Sequence, residues 1–206
     1  MKILIVKYTP REERSSTKKL LDAFRNEIKN FEIEVLDLCN DIPDVFNVES
    51  MHAYIKRNYL KEELLPEQKK TLEKMDRMTQ QMKSADVVVV AFPMHNFSMP
   101  APVKAWFDSV MLKGQTWNNA DGKYFGLMEG KKALILVSSG GFYTKEPMIH
   151  WEHALSLAKI EFQFMGFSDV RGILAEGMNL DDNTKTENLQ KSVDEIKKIT
   201  QEWFRK

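Results

Sequence analysis

Short runs of branched aliphatic residues alternate with longer amphipathic stretches along the whole chain. Five runs, at residues 3–6, 33–38, 87–92, 133–137 and 170–175, have the length of strands. Three are almost continuously apolar, as expected of strands covered on both faces in a parallel sheet. Helical spacing appears between and after them. Leu20, Leu21, Phe24 and Ile28 share one stripe, as do Leu72, Met75, Thr79 and Met82. Val103, Trp106, Phe107 and Val110 repeat the spacing, and Leu189, Val193, Ile196 and Trp203 supply a final helix. This alternation predicts an α/β fold: a doubly wound five-stranded parallel sheet in three layers, α/β/α.

Two stretches exceed what that plan needs. Residues 40–66 carry Phe46, Met51, Tyr54 and Tyr59 among many charges. Residues 114–130 hold Thr116-Trp117 and Tyr124-Phe125 around Asn119-Ala120-Asp121-Gly122, which reads as a short hairpin or looped excursion. With no repeat, low-complexity tract or Pro/Gly linker, residues 1–206 are expected to form one domain.

Composition narrows the partners. Lys+Arg and Asp+Glu balance at 30 each, so nothing in the net charge points to nucleic acid or an anionic membrane. The single Cys39 cannot form an intramolecular disulfide, which suits a reducing cytoplasm, and it is expected to be a small buried filler after a strand. No apolar run approaches the roughly 20 residues of a membrane span, and residues 3–6 are too short for a signal peptide. A cytoplasmic location is the expectation.

In open α/β sheets small ligands bind beyond the carboxyl ends of the strands, which selects three loops. The first, residues 9–17, brings Ser15, Ser16 and Thr17 to a helix start, where hydroxyls and unpaired N–H groups can cradle a phosphate. Simple helix capping by Ser15 or Ser16 is the alternative. Arg11 and Arg14 could assist the phosphate, but a solvated pair beside Glu12 and Glu13 is the stronger expectation. Neither Gly-x-Gly-x-x-Gly nor Gly-x-x-x-x-Gly-Lys-Ser/Thr occurs in this turn, which disfavours a tightly held dinucleotide and a nucleotide triphosphatase. The second loop follows the most apolar strand. Pro93, Met94, His95, Asn96 and Phe97 offer apolar surface with interspersed donors, the combination a flavin ring needs, although core packing also accounts for Met94 and Phe97. The third, Ser138-Ser139-Gly140-Gly141, lets backbone N–H groups approach a ligand edge; a plain turn is the alternative. No metal site is expected, since His95 has no co-ligand at suitable spacing.

Together Ser15-Ser16-Thr17, Pro93-Met94-His95-Asn96-Phe97 with Pro100 and Lys104-Ala105-Trp106, and Gly130-Lys131-Lys132-Ala133 leading to Ser139-Gly140-Gly141, resemble the FMN-dependent NADH-azoreductases. These belong with the flavodoxin-like NAD(P)H:quinone reductases, and the resemblance runs in order over nearly the whole chain. It implies a flavodoxin-like fold, non-covalent FMN, and a homodimer with active sites at the interface. It carries phosphate binding onto Thr9, Ser15, Ser16 and Thr17. Ring contacts fall on Met94, His95, Asn96 and Phe97, and the pyrimidine edge on Ser138, Ser139, Gly140 and Gly141. Relatives commonly have Tyr where His95 stands and often Ser where Thr9 stands.

The implied activity is a ping-pong transfer of two electrons from NADH or NADPH, through the flavin, to a quinone or azo compound. No catalytic nucleophile is required, and none is nominated. Asn96 is the first choice for a residue near flavin N5. Trp117, Tyr124, Phe125, Phe162 and Phe164 are the aromatics available to roof the acceptor space from a partner subunit, with core or dimer packing equally open to them. A flavodoxin-type carrier and a non-catalytic FMN-binding sensor are the rival readings. A metal-dependent phosphodiesterase is disfavoured, because the four histidines have no ligand spacing.

Overall fold

The computed structural model describes residues 1–28 and 30–204. Its strands are β1 (Lys2–Lys7), β2 (Glu32–Asp37), β3 (Val87–Pro93), β4 (Trp117–Ala120), β5 (Lys123–Gly126), β6 (Lys132–Ser138) and β7 (Asp169–Ala175). Five of them form a parallel sheet in the order β2-β1-β3-β6-β7. The helices are α1 (Ser16–Glu27), α2 (Val48–Tyr54), α3 (Pro66–Ser84), α4 (Ala101–Val110), α5 (Leu155–Phe164) and α6 (Asp182–Phe204).

The two-residue period of the strands divides the core into two layers. Leu4, Val6, Val88, Val90, Phe92 and Ile135 face α3, α4 and α5, packing with Met78, Met82, Trp106, Phe107 and Phe162. Ile3, Ile5, Val87, Val89, Leu134 and Leu136 face α1 and α6, packing with Leu20, Phe24 and Ile196. Burying each large apolar side chain stabilises the fold by about 1.5–3 kcal/mol. The expected stripes of α1, α3 and α4 all turn inward. Among the described residues no helix is long and apolar enough to cross a membrane.

Residues 40–66 form a satellite layer on α3. Asn47 caps α2 through a reciprocal capping box with Ser50. The helix then widens into a π turn at Ile55–Tyr59. Arg57 grips Asp76 of α3 through two hydrogen bonds of 2.6 and 2.9 Å, while Tyr54 and Leu64 pack on Leu72 and Met75.

Residues 114–130 contain the expected hairpin. β4 and β5 pair antiparallel around Asp121 and Gly122, both at positive φ, the geometry of a two-residue turn that follows the twist of the strands. The hairpin leans directly on backbone at the end of α5. A Cβ on Gly126 would lie 2.1 Å from the Gly166 nitrogen, so no side chain fits there.

α5 has no counterpart among the expected helices. Glu152 starts it, its carboxylate accepting hydrogen bonds from the N–H groups of Ala154, Leu155 and Ser156 at 2.8, 2.6 and 3.0 Å. This helix decides one of the aromatics left open between roof and core. Phe162 is fully buried against Trp106, Phe107 and Phe167, so it is core. Phe164 is half-buried and joins Trp117 and Tyr124 in an aromatic cluster on the hairpin side.

Candidate functional site

The strand order reverses between β1 and β3, and three chain exits meet at that point. Chain leaving β1 makes a 3-10 turn at Glu12–Arg14 and enters α1, with Ser15 as its cap. Ser15 Oγ accepts the Lys18 N–H at 3.2 Å. The N–H groups of Ser16 and Thr17 lie in the first helical turn, where no intrahelical carbonyl reaches them, and the helix dipole adds positive potential. Thr17 Oγ1 is 2.6 Å from Ser138 Oγ, a buried contact joining α1 to the end of β6.

β3 exits through Pro93, and the Met94 N–H donates to the Ser138 carbonyl at 2.8 Å. A tight turn follows, in which His95 and Ser98 exchange N–H···O bonds of 2.9 and 3.0 Å. Its two central residues, Asn96 and Phe97, have φ of 47° and 71°. Asn tolerates that region; a Phe there costs about 1–2 kcal/mol. The Phe97 ring is held outward, edge-on to Trp151 at 5.2 Å and Tyr143 at 6.0 Å. His95 sits edge-on to Tyr8 at 5.9 Å.

The β6 exit is fastened from behind by the chain leaving β7. Carbonyls of Ser139, Gly140 and Gly141 accept from the N–H groups of Met178, Asn179 and Gly177 at 2.9, 3.1 and 3.1 Å. Glu176 accepts hydrogen bonds from the Tyr143 N–H and the Thr144 hydroxyl. The carbonyls are thus occupied, while the N–H groups of Gly140 and Gly141 have no partner among the described residues.

One cleft opens where these exits meet. Ser15, Ser16, Pro93, Met94, His95, Ser138, Ser139 and Gly140 of the expected set line it. The other expected residues stand beside it, each for a visible reason. Thr9 is buried and lines a neighbouring hollow with Lys7, Asp37 and Cys39. Thr17 is fully buried with its hydroxyl against Ser138. Asn96 and Phe97 form the tip of the turn, and Gly141 is pulled back by bonds to its carbonyl. Cys39 is half-exposed rather than buried, though burial still pushes its thiol up from the ordinary range.

Four further residues line the cleft: Pro10, Arg11, Met178 and Asn179. The last two lie in the turn after β7. The strand-end rule reaches them once it is applied to the edge strand β7 as well as to the three central strands. Arg11, like Glu12, Glu13 and Arg14, is exposed as expected, and it also lines the cleft, while Glu13 pairs with Lys18 at 3.3 Å.

A phosphorylated flavin fits this donor set. Free N–H groups and hydroxyls stand at one end, Pro93, Met94 and His95 make a flat wall, and the Gly140 N–H stands at the other end. Among the described residues no group of three or more His, Cys, Asp or Glu is placed to hold a metal.

Comparison with known proteins agrees with this architecture. A family model described as "Flavodoxin-like fold" matches residues 1–200. An FMN-dependent NADH:quinone oxidoreductase of Azotobacter vinelandii is 30% identical over 96% of this chain and 98% of its own. A second, from Legionella pneumophila, is 37% identical over 61% of each chain. The crystal structure of an FMN-dependent NADH-azoreductase from Bacillus anthracis in complex with FMN superposes with a TM-score of 0.86, at 28% identity and 98% coverage of both chains.

Proposed function

The chain belongs to the flavodoxin-like family, and on that footing we propose that it is an FMN-dependent NAD(P)H oxidoreductase passing two electrons to quinones and azo compounds. The observation that carries the reading is the cleft at the strand-order reversal, with unpaired donors at both ends and an apolar wall between them. When bound, the flavin supplies the hydride chemistry between nicotinamide and acceptor.

The protein's own residues bind and orient. Ser15, Ser16 and Thr17, with Thr9 supporting the turn, receive the phosphate. Pro93, Met94 and His95 support the ring, and the Asn96-Phe97 turn closes its edge. Ser138, Ser139, Gly140 and Gly141 meet the pyrimidine side, where donors favour the charge that reduction creates. Reductant and acceptor use the same open side in turn, which gives ping-pong order. Residues 1–206 act as a single domain. A homodimer with sites at its interface belongs to the same proposal. It is supported by the apolar side chains left exposed near the cleft and on the hairpin: Phe97, Tyr124, Phe125, Ile149 and Trp151. So does a cytoplasmic location, supported by a lone, half-exposed thiol.

Steady-state oxidation of NADH by FMN-loaded protein tests the reading. Turnover that rises on adding menadione or an azo dye, with parallel-line kinetics, is expected. A flavin-loaded protein that oxidises NADH with neither acceptor would be a sensor or carrier instead.

A further inference from the structure

We propose that Arg11 is the residue that makes this cleft select a phosphorylated flavin, its guanidinium holding the cofactor's phosphomonoester so that FMN is preferred over riboflavin. The inference rests on the FMN reading above and adds to it a charge that no other residue lining the cleft supplies.

The run Arg11-Glu12-Glu13-Arg14 alternates in sign so closely that neighbouring charges would be expected to neutralise one another. Backbone geometry prevents this. Glu12 adopts φ of 48°, in the left-handed region that non-glycine residues seldom occupy. The reversal sorts the charges onto two sides of Pro10. Arg11 lines the cleft with Ser15 and Ser16, whereas Glu12 and Glu13 line the adjoining hollow with Lys18. Glu13 is paired there with Lys18, which also holds Asp22 at 2.7 Å. Among the described residues the Arg11 guanidinium has neither a hydrogen bond nor an ion pair. It is also the one permanent cation lining the cleft.

Physical chemistry says what an unpaired guanidinium there would take. A phosphomonoester carries about 1.5–2 negative charges near neutral pH. The start of α1 offers roughly half a positive charge, and serine hydroxyls offer none. Arg11 supplies a whole charge and a planar fork of donors suited to phosphate oxygens. A strained residue whose effect is to keep two carboxylates out of the cleft fits the same purpose. A phosphomonoester on the reductant, as in NADPH, has the same chemistry and must be told apart.

Titration of apoprotein with FMN and with riboflavin, followed by flavin fluorescence, makes the test for wild type, R11A and R11K. R11A is expected to weaken FMN binding by about tenfold or more and to leave riboflavin unchanged. R11K should recover part of the loss, and added salt should weaken FMN binding more in wild type than in R11A. Equal loss for both flavins would make Arg11 a packing residue and overturn the proposal. Unchanged FMN affinity with a raised KM for NADPH would assign the cation to the reductant and overturn it as well. Wild-type protein that binds neither flavin would instead sink the FMN reading, and the proposal with it.

Discussion

Thr17 Oγ1 and Ser138 Oγ meet at 2.6 Å inside the protein, where the first turn of α1 abuts the end of β6. The contact joins the two elements that carry opposite ends of the candidate flavin site. Ser138 also lines the cleft, so one buried hydrogen bond sets the spacing between the phosphate end and the pyrimidine side.

Replacing one partner leaves the other hydroxyl buried and unpaired. T17V is expected to lower stability by about 1–3 kcal/mol in denaturant unfolding and to weaken FMN retention. The double variant T17V/S138A should regain part of the stability, because no orphaned hydroxyl remains. Additive losses in the double-mutant cycle would show that the two hydroxyls do not depend on each other.

The hairpin rests on α5 through bare backbone. G126A would place a methyl 2.1 Å from the Gly166 nitrogen, so either the hairpin or the 165–167 turn must shift. A loss of about 1–3 kcal/mol is expected from such overpacking, read as a lower Tm. An unchanged Tm would mean that the hairpin is not seated on α5.

Glu161 lies almost fully buried on α5 with Oε2 unpaired and Oε1 3.6 Å from Lys104 Nζ. Burial pushes its carboxyl up from the usual 4.5 to about 7, against the pull of Lys104 and with a smaller push from Asp108. Below pH 4.5 the group is protonated in folded and unfolded chains alike and has no net effect on stability. As pH rises from 4.5 to 7 the unfolded chain loses the proton first, and the folded state is progressively penalised. E161Q removes the penalty. It should match wild type near pH 4 and be more stable by up to about 3 kcal/mol above pH 7. A stability difference that does not vary with pH in urea unfolding would contradict this.

Much of the fold is legible in the sequence, because strands buried on both faces must be apolar at every position. Val87 to Phe92 could be nothing else. The helices whose stripes repeat over several turns are equally readable. α5 is not. It is short, its stripe is interrupted by the buried Glu161, and its start depends on a glutamate cap rather than Ser, Thr, Asp or Asn. Without that helix the sequence leaves Phe162 open between roof and core, and the structure makes it core. Within the site, the serines and the Pro93-Met94-His95 wall follow from the strand-end rule. Arg11 is left open between phosphate and solvent, because its direction depends on the sign of one φ at Glu12, which a glutamate does not announce. The Asn96-Phe97 turn is hidden for a similar reason. Its second left-handed position carries Phe, where the usual turn signal is Gly.

The central claim is that the cleft holds an FMN that takes electrons from a nicotinamide and gives them to a quinone. Anaerobic spectrophotometry of the reconstituted protein tests it most directly. The account predicts a bound-flavin spectrum that bleaches within the mixing of one equivalent of NADH or NADPH and returns in full when menadione is added. Protein that takes up no FMN, or whose bound flavin stays oxidised with both nicotinamides, would contradict it.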